Sequence, residues 1–225
     1  GIRDSSVTGV QTCALPILNS SDLQKLNTSA VELLTTSALL GLSGAQVGAL
    51  NTAQVVALNT AQAAVLNTAQ AAALNTAQAA KLETSDLQNL RTNAISALTT
   101  AVVAALTTTQ VGALTSVQVG GLSTTQAAAL TTKQLKDLGT TQALGLKDTQ
   151  LRAVSSSNLQ KLNTSAVELL TTSALLGLSG AQVGALTTAQ VVALTTAQAA
   201  MLNTAQAAGL TSVQLQKMQT TDLLK

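Results

Sequence analysis

The side chains that could carry reaction chemistry are few and scattered. Nine Asp and Glu and eleven Lys and Arg are spread along the chain, and there is no His. The commonest general base and metal ligand is therefore missing. A single Cys, Cys13, rules out an internal disulfide and a Cys-rich metal site. Asp86, Asp137 and Asp148 stand singly, without metal-ligand spacing. A calcium-binding repeat needs Asp and Gly at regular places, and here Asp is sporadic. Ser and Thr are plentiful, yet none stands out with a base beside it. The chain has no Phe, Trp or Tyr to stack on bases or sugars, and its net charge of +2 forms no basic stripe. Nucleic-acid binding needs such a stripe. No segment approaches the roughly 18–20 apolar residues of a membrane span, because Thr, Asn, Ser or Gln recurs every few positions. The expectation is a chain without catalytic, cofactor-binding or metal-binding residues, which neither binds nucleic acid nor inserts into a membrane.

What organises the chain is a repeat of eight residues, plain in Leu50–Lys81: LNTAQVVA, LNTAQAAV, LNTAQAAA, LNTAQAAK. The phase runs from position 18 to position 218, and 24 of its 26 in-phase residues are Leu; Val154 and Met218 are the others. With that Leu as position 1, position 5 is Gln in 16 units and position 6 is aliphatic in all 26. Positions 2 and 3 are mostly Asn, Thr or Ser. Positions 7 and 8 are small in most units but admit charge, as at Lys81, Lys136, Asp137 and Arg152. Positions 1 and 6 are the predicted core. A longer period lies above this one. Ser20–Ala72 and Ser156–Ala208 match at 49 of 53 positions, a block duplication 136 residues apart.

The octad must satisfy chain geometry. In one continuous helix eight residues advance about 800°, so the Leu stripe would drift about 80° per repeat; supercoils hold a stripe with periods of seven or eleven instead. A short helix per octad fits better. In Leu186–Val191, Thr187 as N-cap puts Gln190 at the third helical position, the spacing of a capping box. Leu186 and Val191 then fall at the two positions of a hydrophobic staple. Each helix would run from position 3 to position 8, and each Leu would close one helix and lead into the next. Helices this short are unstable alone, so they must stack, as in a solenoid. The expected fold is an all-α repeat solenoid of short capped helices over residues 18–225. A β-solenoid is the alternative, disfavoured by Ala and Gln and by the lack of period-two alternation.

Individual positions read as follows. Glu32 and Glu168, like Lys25 and Lys161, are copies of one another on solvated repeat positions. The Gln column is either a polar ladder, a binding strip or simply the third position of the capping box. The box explains Asp22, Asp86 and Asp222 as well, since acids suit a helix start. Ala30, Ala38, Ala94 and Val102 mark weaker caps. The glycines at 41, 44 and 48, repeated at 177, 180 and 184, are read as tolerated small residues rather than bends.

Val7–Ile17, VTGVQTCALPI, holds the only Pro and Cys and breaks the octad phase. It resembles the translated tail of a common short-read sequencing adapter, so residues 1–17 are set apart as an artefactual leader. The octads, as in LTTAQVVAL, resemble tandem LTxxQ(V/I)xAL arrays of very large bacterial surface or secreted proteins. That resemblance implies a surface or secreted setting and no activity. The same stretch is similar to the first helix of TAL-effector repeats, LTPxQVVAIA, without their longer unit and base-reading loop. The resulting expectation is a fragment of a longer, non-catalytic array. It would serve as a spacer, a stalk or an adhesive surface, joined to flanking domains and able to associate end to end. The alternative is a binding module that presents its Thr columns to ice, a polymer or another array.

Overall fold

The structure, a computed structural model, describes residues 19–218. The leader 1–17, with its adapter-like segment, Leu18 and Asp222 lie outside the described residues. Among the described residues there are 25 short helices and no strand, one helix per octad, from Ser20–Gln24 to Ser212–Lys217. The all-α repeat solenoid is therefore the fold, and neither the continuous helix nor the β-solenoid describes it.

The helix boundaries come from local hydrogen bonding. In helix Thr188–Val192 the N-cap Thr187 is extended, at φ −68° and ψ 154°, and its hydroxyl accepts from the Gln190 amide. Gln190 Oε1 in turn accepts from the Thr187 amide at 2.9 Å. This reciprocal pair satisfies two of the amides a helix start leaves unbonded. Asn does the same work at position 2: Asn67 Oδ1 accepts from the Gln70 amide and the Asn67 amide donates to Gln70 Oε1, both at 3.0 Å. The next Leu ends the helix. Leu66 sits at φ −54° and ψ 126° and its amide closes on the Ala63 carbonyl. Two extended residues, Leu66 and Asn67, thus join one helix to the next. No described residue has a positive φ, so the corners need no Gly and the octad can be rich in Leu, Asn and Thr.

The chain divides into two units, Gly1–Leu106 and Thr107–Lys225. Within each, every helix packs against the third helix further on: Thr68–Ala72 against Thr92–Ala97 in the first, Gly180–Ala185 against Thr204–Gly209 in the second. Three octads, 24 residues, therefore complete one coil. Position 1 and position 6 side chains fill its interior, as at Leu66 and Ala71, or Leu130 and Leu135. At the last described octads the cover thins: Leu215, at position 6, is 40% exposed.

The glycines are a correction. Gly41 is exposed, but Gly44, Gly48, Gly177, Gly180 and Gly184 sit where stacked backbones touch. A Cβ on Gly180 would stand 2.2 Å from the Ala205 carbonyl oxygen, and one on Gly44 would stand 2.5 Å from that of Ala69. They are neither bends nor merely tolerated: they let helices one coil apart approach closely.

Candidate functional site

The Gln column is the most constrained polar feature, and it faces inward. Gln54, Gln62, Gln70, Gln150, Gln190 and Gln206 are at most 1% exposed. With Oε1 used in the capping box, the amide group remains as a donor. Gln70 Nε2 donates to the Leu39 carbonyl at 2.7 Å and the Leu42 carbonyl at 2.8 Å, 31 and 28 residues upstream. Gln190 Nε2 reaches Leu159 and Leu162 at the same two offsets. Each such Gln stitches the start of its own helix to the corner of the coil beneath. The column is thus a polar ladder inside the stack and offers no strip to a ligand. Where position 5 is Ala166, the N-cap takes over part of this role: Asn163 Nδ2 donates to Leu138 O at 2.8 Å.

The acids at position 5 do not close the box as Gln does. Asp22 accepts from Asn19 Nδ2 at 2.8 Å and pairs with Lys25 at 2.9 Å on the surface. Lys25, first of all by its hydrogen bond and then by its charge, holds that carboxyl below its usual range. Asp86 is 2% exposed and its Oδ2 has no hydrogen-bond partner. By the ladder offsets it stands where a Gln would donate to Val55 and Leu58 carbonyls, and a carboxylate has no proton to give them. Burial, and after it the charge of Glu83, pushes this carboxyl up to about 6. Among the described residues no group of three or more acidic, His or Cys side chains gathers as a metal site. Asp137 and Asp148 lie apart on exposed positions.

The Thr columns are divided by use. Position 2 hydroxyls such as Thr107, Thr115 and Thr187 accept the amide bond of their own helix. Position 3 residues such as Thr52, Thr60 and Thr68 are exposed.

One open groove, about 540 Å³, lies on the first unit. It runs over three stacked helices, with Glu32 on Thr28–Glu32, Val56 on Thr52–Val56, and Lys81 just after Thr76–Ala79. Ala53 and Ala57 complete its apolar part. Glu32, Val56 and Lys81 are all exposed. Glu32 stands on the solvated position expected of it, whereas its relation to Val56 and Lys81 was not foreseen. The signal was available, because every residue lining the groove recurs identically 136 positions later.

Among the described residues no helix is long and apolar enough to cross a membrane. Residues 45–76 and 79–116 match the family model of the ALTTAQ repeat, two hits in tandem within the octad phase. A comparison with curated proteins gave no match. The chain is a tandem octapeptide-repeat array, similar over those residues to ALTTAQ repeats.

Proposed function

We propose that this ALTTAQ-like array is a non-catalytic structural element, a spacer, a stalk or an adhesive surface, in a large bacterial surface or secreted protein. The observation that carries the reading is the stack itself. Every coil is built from the same three-octad unit, and its most elaborate polar side chains are spent on internal hydrogen bonds. Stability in such a stack comes from neighbours, so length can be added in whole octads without redesign. The 136-residue duplication is what growth by whole octads would leave behind.

The test is length. Arrays with increasing numbers of octads, placed between two fluorescent domains, should separate them linearly, by roughly 8–10 Å for each added coil, the usual spacing of packed helices. A separation that stops growing with added coils would overturn the spacer reading.

The Thr columns support a second reading, presentation of hydroxyls to ice or a polymer. Position 2 hydroxyls such as Thr187 already accept a backbone amide, and of the position 3 residues Thr52, Thr60 and Thr68 are exposed while Thr108 and Thr188 are half-buried. Thermal hysteresis, or retention on chitin or cellulose, that disappears when position 3 Thr residues become Ala would favour it.

A further inference from the structure

We propose that the face carrying Glu32, Val56 and Lys81 is a self-association surface whose partner is the same face on a second copy of this chain, laid antiparallel. The three residues stand on three successive helices of one stack, each packed on the next. They are one coil apart: acid, apolar, base. The outer helices are two helix spacings apart, roughly 16–20 Å. The two charges are therefore badly placed to neutralise each other, and neither joins the ion pair found among the described residues, Asp22–Lys25.

That order is antisymmetric about Val56. A two-fold axis lying in the interface through Val56, perpendicular to the stacking direction, sets Glu32 of one copy on Lys81 of the other at both ends. It sets Val56, 41% exposed, on its own counterpart. A parallel arrangement would set acid on acid and base on base. An isologous contact is self-complementary in this way. The apolar centre gives buried area, and the charges choose orientation and register more than they add affinity.

The second unit carries the same device. Glu168, Val192 and Lys217 lie on Thr164–Leu169, Thr188–Val192 and Ser212–Lys217, again stacked in succession, and all three are exposed. Lys217 is informative because it falls outside the near-identical block. From 73 to 80 and from 209 to 216 the two copies share only Leu74/Leu210 and Gln78/Gln214, repeat positions 1 and 5, yet Lys81 and Lys217 agree. The two ends of the charge pattern persist while the sequence around one of them has diverged. A face of either unit therefore complements a face of either unit on another copy.

The experiment is a charge-reversal cross on the 225-residue chain, read by sedimentation velocity over a concentration series at low salt. The unaltered chain should associate, and added salt should dissociate it. The variant with Glu32→Lys and Glu168→Lys presents two bases on each face. The variant with Lys81→Glu and Lys217→Glu presents two acids. Each alone should lose self-association at least tenfold, with an unchanged far-UV circular dichroism spectrum. Mixed in equal amounts, they should associate with each other. Three results would overturn the proposal: a monomeric unaltered chain, association that charge reversal leaves intact (as contact through the array ends would), or a mixture that stays monomeric. A second pair, Val56→Asp with Val192→Asp, should weaken association without altering either end charge. If it does not, the face is not the contact.

Discussion

Two neighbouring stretches of the first unit, Leu50–Lys81 and Leu82–Ala105, build the same helices by different means. In the first, four Gln residues at position 5 each close a capping box and hydrogen-bond to the coil beneath. In the second, position 5 is Asp86, Ala94 and Val102, and the N-caps Glu83 and Arg91 make no side-chain cap bond. Helices Thr84–Asn89, Thr92–Ala97 and Thr100–Ala105 form nonetheless. The difference is compensated at position 6, which is Val55, Ala63, Ala71 and Ala79 in the first stretch and Leu87, Ile95 and Val103 in the second. The rule extends along the chain: every Ala at position 6, from Ala63 to Ala207, directly follows a Gln. A small core residue is tolerated where buried hydrogen bonds hold the coil, and a large one stands where they are missing. Burying each additional methylene contributes about 0.8 kcal/mol, comparable with the net worth of one hydrogen bond, about 1 kcal/mol.

The sharpest way to break this exchange is Gln70→Ala, which strips the ladder where Ala71 has no bulk to replace it. The Leu39 and Leu42 carbonyls lose their donor, and the expected loss is about 2–4 kcal/mol in urea unfolding. A loss under about 0.5 kcal/mol would mean that the ladder is decorative.

Asp86 tests the same position from the other side. Its folded pKa, about 6, lies above the ordinary 3.8, so the fold favours the protonated form. The contribution of this group is fully present below about pH 4 and is lost as the pH rises through 6. Asp86→Gln should therefore stabilise the chain increasingly between those limits, and the gap between the two urea midpoints should widen with pH. A gap that does not change with pH would show that Asp86 does not titrate in that window.

A cap is worth less. Glu83→Thr gives helix Thr84–Asn89 the N-cap oxygen that its neighbours have, with an expected gain of about 1 kcal/mol. Smallest of all is Lys25→Ala. Its pair with Asp22 is exposed and salt-screened, and thermal unfolding should not resolve the change. A clear drop in melting temperature would mean that Asp22, like Asp86, matters to the stack.

How much of this was legible depends on how far each interaction reaches along the chain. The capping box spans three residues, so Thr187 with Gln190 declared a helix start, and Leu at position 1 with an aliphatic position 6 declared the core. The glycines were misread for the opposite reason. Nothing near Gly180 in sequence requires a missing Cβ; the Ala205 carbonyl, 25 residues on, does. Asp86 looked like any acid at a helix start because its burial is imposed by the coils around it.

The sequence by itself determined the octad register, the short capped helices and the residues that turn inward, because all three follow from contacts within one repeat. Only the tertiary structure decided that three octads make a coil, where the second half of each Gln is spent, and which charges share a face. Those depend on groups 24 to 31 residues apart meeting across a stack, and a period of eight is equally consistent with two, three or four octads per turn until packing selects one.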